Sequence, residues 1–455
     1  MKIFAERVLL SEGWKSKQTL TIENGIIISI TSGKDESAEC VGTVIPGMVN
    51  CHSHAFQRAF AGFSEQGSDG QDSFWTWRNV MYQFLANLTA EDAKTIATQL
   101  YIEMLKSGYT RVAEFHYLHH DINGQPYSNL ATMAEAIFEA SEQSGIGLTL
   151  LPVLYQYSGF GQLPPNAGQK RFINQTNTFN NLVSDCYQLS QKFGNTNVGI
   201  APHSLRAVDK SSLQDAVAHI RALDSEAPIH IHIAEQQKEV DDCLNYYQQR
   251  PVQWLLNNFQ LDPQWCLIHA THINEQERDD LIATKAIAGI CPTTEANLGD
   301  GIFPTAEFLA QGGTIAIGSD SHISVNPVEE LRWLEYAQRL IKQQRALLAT
   351  LEQPSVGQYL WAHTAKIGAQ STNSNTGELA VGKQADLLVL DENKLSLFAA
   401  RDAHVLDSLI FATQNNVISD VMVNGKWCIR NGAHAIEQQA SAAFAQLLKQ
   451  VSQSL

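Results

Sequence analysis

The chain has 455 residues, 44% of them hydrophobic, with 31 basic and 47 acidic side chains and a net charge of −16. The length suits one large domain with an appendage, or two to three domains, and the acidic balance excludes nucleic acid, whose phosphates need a basic face. An anionic ligand would have to be held by a local basic cluster working against the global field. Seven cysteines form no CxxC and no evident framework, which points to reduced thiols in a cytoplasmic protein. The N-terminal MKIFAERVLLSEGW carries charges too early for a secretory signal. No stretch approaches 18 uninterrupted apolar residues, so no membrane span is expected.

Residues 1–46 alternate short β-type runs with turns. Asn24-Gly25 between apolar runs is a hairpin signal. The run 43–50, broken only by Pro46-Gly47, predicts a buried strand that ends at His52 and His54. Further strands are expected at 109–115, 147–155, 197–201, 228–233, 266–270, 286–291 and 313–318. Most are separated by helical patterns such as Glu91–Ser107 and Ser211–Leu223. Eight β units with intervening helices predict an α/β fold, a (β/α)8 TIM barrel over 47–375. Polar residues recur at the C-terminal strand ends, which argues against a doubly wound sheet. Residues 376–435 again read as short strands with an Asn424-Gly425 turn. Neither end can bury a core alone, so 1–46 and 376–435 are expected to pair into one small β-sandwich domain. Phe444, Leu447, Leu448 and Val451 predict a surface helix in 436–455.

Two histidines at i and i+2 on a strand face the same way, so His52 and His54 can close on one metal ion. Strand five reads Ile229-His-Ile-His-Ile-Ala-Glu235, strand six ends at His269, and strand eight ends Gly318-Ser-Asp-Ser-His322. Histidines from strands one and five with an aspartate from strand eight make a three-nitrogen, one-oxygen set. It suits zinc, with iron(II) the second choice. His230 shares the face of His232 and is either an orienting partner or simply packed. His272 and His322 lie near the site in sequence. His116, His119 and His120 read as a solvated loop.

This order of motifs resembles the amidohydrolase superfamily and its mononuclear deaminase branch. The resemblance implies His52, His54, His232 and Asp320 as ligands. The strand-four region 198–208 lacks the bridging lysine of binuclear members, which implies a single metal. The segments His52-Ser-His-Ala-Phe-Gln-Arg58, Asp72-Ser-Phe-Trp-Thr-Trp-Arg78, Ala201-Pro-His-Ser-Leu-Arg206 and Cys291–Pro304 are similar to those of the formimidoylglutamate deiminase family. That resemblance implies hydrolysis of N-formimino-L-glutamate to N-formyl-L-glutamate and ammonia, in histidine degradation. It implies Gln57, Arg78, Tyr117, His203 and Arg206 as substrate contacts and suggests a homodimer. A substrate with two carboxylates wants bidentate guanidinium groups, and Arg78 and Arg206 supply two. A neutral heterocycle, the substrate of other deaminases of the superfamily, would not need them. A non-catalytic scaffold would have lost ligands. Trp75 and Trp77 are assigned no contact, and the length of loop 55–80 is compatible with closure over the substrate.

The expected chemistry follows. A divalent metal lowers the pKa of bound water from about 16 toward about 7. Asp320 takes the first proton, and Glu235 carries one to the leaving nitrogen. His269 hydrogen-bonds the attacking oxygen.

Overall fold

The computed structural model describes residues 1–63, 65, 74–394 and 402–452. The first two residues of Asp72–Arg78, the middle of loop 55–80, residues 395–401 and the last three residues therefore lie outside the described residues. The two chain ends form one eight-stranded sheet. Its N-terminal half is Glu39–Pro46, Lys2–Leu10, Gly13–Glu23 and Ile26–Ser32 in spatial order. Its C-terminal half is Leu387–Leu390, Ile418–Val423, Lys426–Arg430 and Ala433–His434. The halves meet where Leu387–Leu390 runs antiparallel to Thr43–Pro46. Ile3, Leu20, Ile27, Val44, Leu387 and Met422 share a separate apolar cluster beneath this sheet.

Both Asn-Gly pairs are two-residue hairpin turns, closing Glu23 on Ile26 and Val423 on Lys426. Positive φ at both central positions, 49° and 82° in one turn and 48° and 74° in the other, is the geometry that favours Asn-Gly. The two turns touch. A Cβ on Gly25 would lie 2.0 Å from Asn424 Oδ1, so glycine is required there for packing as well as for conformation.

The expected strand 43–50 is two strands. Glu39–Pro46 belongs to the terminal sheet, whereas Met48–Ser53 opens the first parallel sheet. Gly47 is the pivot between them. A Cβ there would lie 2.3 Å from Thr110 Cγ2, and Trp361 Nε1 donates to the Pro46 carbonyl at 3.0 Å. The parallel strands then follow one another: Met48–Ser53, Tyr109–His116, Gly147–Leu154 and Thr196–Val198, with Ala201–Pro202 also on Gly147–Leu154. A second parallel sheet orders Ile229–Ile233, Trp265–His269, Ile287–Ile290 and Thr314–Ile317. Strand four is thus two short pieces, not the continuous 197–201. Isolated parallel bridges join the sheets, Ile200 to Ile229 and Ser204 to His232 on one side and Ser53 to Asp320 on the other.

The strands read as continuous apolar runs because both faces are covered; all eight residues of Tyr109–His116 and of Gly147–Leu154 are buried. Helices lie between them. Ala90–Ser107 begins with a Thr89–Asp92 capping box and stops at Gly108, whose φ is 110°. Helix Glu437–Ser452 docks on it through Lys106–Glu437 and Ser441–Gln99 contacts. Among the described residues no helix is long and apolar enough to cross a membrane.

The close approach at the pivot sets an expectation. Gly47→Ala would lose about 1–3 kcal/mol of stability through overpacking against Thr110, read from urea denaturation. A variant with wild-type stability would refute the close approach.

Candidate active site

The strand Ile229–Ile233 is buried at every position, and its alternation separates two chemistries. The isoleucines join the main apolar core. His232 points instead toward His52, with their Nε2 atoms 3.0 Å apart. His52 and His54 come from the end of Met48–Ser53, each with its Nε2 near Asp320 Oδ1, at 3.3 and 3.4 Å. His54 is fixed from behind by Nδ1 against the Phe115 carbonyl at 2.9 Å, which aims its other nitrogen inward. Phe115 stacks on His232 with 4.2 Å between ring centroids and keeps the floor of the site dry.

Ligand-capable atoms of His52, His54 and His232 lie within 4.8 Å of one another, and so do those of His52, His269 and Asp320. Burial pushes His52 and His232 well below the usual imidazole range and His54 to about 3, with neighbouring histidines adding to each shift. Neutral, buried imidazoles with converging nitrogens beside a carboxylate are the donor chemistry of a zinc-type site. Two Nε2 atoms at 3.0 Å can share at most one proton, and a cation between such rings would remove that conflict. The residues present fit a divalent metal.

Backbone strain concentrates here. Ala234, His269, Ala270, Asp320 and His322 all have φ between 43° and 70°. Side chains other than glycine rarely adopt that region, and each instance costs of order 1–3 kcal/mol. The turns are locked by cross-strand bonds: Asp320 N to the His52 carbonyl, His54 N to the Asp320 carbonyl, and His232 N to the His203 carbonyl. Behind them Glu114 accepts from Ser53 Oγ and Ala55 N, both at 2.6 Å. His322 bridges Ser53 and Ser319, an orienting role that its position in the sequence did not reveal.

Above the metal-capable cluster, one cavity is lined by all five expected substrate contacts, Gln57, Arg78, Tyr117, His203 and Arg206, together with Glu235 and His269. Gln57 Nε2 donates to Tyr117 Oη at 3.3 Å, and His203 Nδ1 meets Ser204 Oγ at 3.0 Å. Glu235 lies in the turn after Ile229–Ile233. Its Oε1 is 3.9 Å from His269 Nε2, which is in turn 3.9 Å from Asp320 Oδ2. Burial lifts Glu235 to about 7, against the pull of His269 and Arg206. Burial lowers His269, but Glu235, the Glu295 hydrogen bond and Asp320 outweigh it and carry His269 to about 10. Glu235 is thus held close to neutrality, where a proton carrier works best, beside a His269 held above it.

Several expectations change. His116, His119 and His120 are not solvated. All three are buried, and His119 and His120 bond the Val153 and Ile173 carbonyls. His230 is packed away from the cluster, with Nε2 on the Ser371 carbonyl at 2.7 Å. Trp77 lines the cavity and packs on Phe60. Sequence reasoning also missed Tyr155, a further lining residue, and Glu295. Glu295 Oε1 faces His269 Nδ1 at 3.2 Å and accepts from Cys291 N at 2.9 Å. The signal was an acid inside the motif Cys291-Pro-Thr-Thr-Glu, on a helix of seven residues.

The chain is similar to known proteins along its length. The chain is 48% identical over 449 residues, 98% of each sequence, to formimidoylglutamate deiminase of Pseudomonas aeruginosa. The crystal structure of an amidohydrolase from Brucella melitensis superposes with a TM-score of 0.94 at 42% identity, over 99% of both chains. A zinc-bound adenosine deaminase from Xanthomonas campestris shares the fold, with a TM-score of 0.84 at 20% identity over 99% of this chain and 98% of that one. The sequence model of the amidohydrolase family matches residues 43–428, and the chain belongs to that family.

Proposed function

We propose that the protein hydrolyses N-formimino-L-glutamate to N-formyl-L-glutamate and ammonia, as a metal-dependent deiminase of histidine degradation in the cytoplasm. The observation that carries the reading is the 48% identity to a formimidoylglutamate deiminase along 98% of both chains. Two arginines in one cavity with Glu235 and His269 support it, because the substrate carries two carboxylates. A neutral heterocycle would bring no carboxylate to either guanidinium group. We read the two parallel sheets and their three bridges as one (β/α)8 barrel over 47–375. On this reading 1–46 and 376–435 form a small β-sandwich domain, and the C-terminal segment from 436 carries the helix Glu437–Ser452.

In this proposal His52, His54, His232 and Asp320 hold one zinc ion, with iron(II) the alternative. A bound divalent cation supplies an acidified water at neutral pH. Arg78 and Arg206 take the substrate carboxylates, with Gln57, Tyr117 and His203 adding neutral hydrogen bonds. These contacts bring the formimino carbon over the cluster. Asp320 accepts the first proton as the water oxygen attacks that carbon. His269, charged at neutral pH, hydrogen-bonds the oxygen where negative charge develops. The imino nitrogen gains two protons, both originally from water: Asp320 passes the first to Glu235, the hydroxyl of the tetrahedral centre gives up the second, and Glu235 delivers each to the nitrogen. The C–N bond then breaks, ammonia leaves, and the formyl C=O remains. Glu295 keeps Nδ1 of His269 engaged, so that Nε2 faces the reacting atoms.

The direct test is ammonia release by zinc-loaded protein from N-formimino-L-glutamate, beside N-formimino-glycine, guanine and cytosine, with metal content measured in parallel. The expected outcome is about one metal per chain, strong release from the glutamate derivative alone, and loss on chelation. Release from a nucleobase instead would discard the substrate. Glu235→Gln is expected to lower kcat by about 10²-fold or more with metal retained; normal turnover with full metal would remove Glu235 from the mechanism. Glu295→Ala leaves two buried N–H groups without their acceptor. It should lose about 1–3 kcal/mol of stability and also lower kcat, as read from thermal denaturation beside turnover. A variant unchanged in both would exclude the orienting role.

A further inference from the structure

Arg206 faces two carboxylates. Its Nη2 is 3.8 Å from Glu235 Oε2, and its Nε is 3.9 Å from Glu239 Oε2. Both separations exceed hydrogen-bonding distance. Glu235 lines the substrate cavity and Glu239 does not. Glu239 is fully buried, in the first turn of the helix Gln237–Tyr247. Its Oε2 accepts from the backbone N–H of Glu235 at 3.2 Å, next to Ala234, whose φ is 49°. One carboxylate therefore touches the strained turn that aims the proposed proton carrier and also faces the arginine proposed to bind substrate.

The simple account of such a residue is an acid stabilising a helix N-terminus. Its environment argues for more. Burying a charged carboxylate is costly unless it is matched, and Glu239 Oε1 has no hydrogen-bond partner among the described residues. A glutamine would accept the same backbone bond without that cost. What the carboxylate adds is a second negative charge on the Nε side of Arg206. Without it, the carboxylate of Glu235 would stand beside the guanidinium with no opposing pull from the Nε side. A closed Arg206–Glu235 pair would harm both partners, by holding Glu235 ionised and by occupying the donors meant for a substrate carboxylate.

We infer that Glu239 is a positioning residue that holds Arg206 by its Nε edge, away from Glu235, so that the guanidinium receives a substrate carboxylate while Glu235 remains available for proton transfer. The inference deepens the proposed function and rests on it for the identity of the substrate. It makes Glu239 a determinant of carboxylate recognition without contact with the ligand.

The test compares metal-loaded wild type with Glu239→Gln, which keeps the shape and the backbone acceptor but removes the charge. Metal content and thermal midpoint serve as controls. The expected result is a KM for N-formimino-L-glutamate raised about tenfold or more and a kcat lowered about tenfold, because substrate must now break a closed pair. In a crystal structure of the variant, the Arg206–Glu235 separation should shorten from 3.8 Å to hydrogen-bonding distance. A purely structural role would leave kcat, KM and that distance as they are. Wild-type kinetics in Glu239→Gln, tighter substrate binding, or an unchanged Arg206–Glu235 distance overturns the inference. Should the glutamine variant fold poorly, Glu239→Asp, which keeps the charge but draws it back, is expected to move KM and the distance in the same direction by less. If the wild type itself releases no ammonia from this substrate, the functional reading fails, and the crystallographic distance alone decides the role of Glu239.

Discussion

The Nε2 atoms of His52 and His232, two buried side chains, stand 3.0 Å apart. Two imidazoles so placed cannot both be charged, and burial suppresses the charged form of each. The consequence spreads outward. Burial keeps His54 neutral as well, against the Phe115 carbonyl bond that fixes its orientation, and Asp320 becomes the nearest negative charge to the rings of His52 and His54. Positive charge stands around the cavity instead, on His269 and on Arg206 beside Glu235. The electrostatics of the whole cavity follow from keeping three rings neutral at close quarters.

Such an arrangement is stable only if the backbone beneath it cannot relax. The strand ends that carry the cluster meet through short main-chain bonds, and a chain of buried polar contacts runs behind them from Glu114 through Ser53 and His322 to Ser319 and Asn50. Glu114, Ser53 and Asn50 belong to the first two parallel strands, and Ser319 and His322 to the turn after Thr314–Ile317, so the chain ties three strand ends together. The positive φ values at Ala234, His269, Ala270 and Asp320 persist because this network over-determines them. At the rim, Arg78 stands on the helix Phe74–Leu85.

Much of this was legible in the sequence, and the limits have physical causes. His52 and His54 were readable as a pair because strand periodicity turns i and i+2 the same way, whereas His232 and Asp320 were picked out by the resemblance of the motif order to a known family. The end-to-end pairing was readable because the Asn-Gly turns punctuate both termini. The division of 43–50 at Gly47 was hidden, since a pivot between two sheets looks like any glycine until Thr110 is packed against it. The burial of His116, His119 and His120 was hidden too: the backbone carbonyls that bind His119 and His120 belong to distant segments. Glu239 and Glu295 are ordinary helical acids by pattern. Their significance lies in what stands opposite them, Arg206 and His269, and no local rule connects them.

The seam between Glu39–Pro46 and Leu387–Leu390 bears on how the molecule is made. During synthesis the first four strands emerge early, with Glu39–Pro46 as an open edge. Its partner leaves the ribosome only after the whole α/β region, tens of seconds later at about 5–20 residues per second. Through that interval the edge presents unpaired N–H and C=O groups over Val44 and Ile45, a template for pairing with the wrong chain. The nascent protein therefore depends on a holding interaction, from its own growing helices or from a chaperone, until the C-terminal strands arrive to finish the sheet.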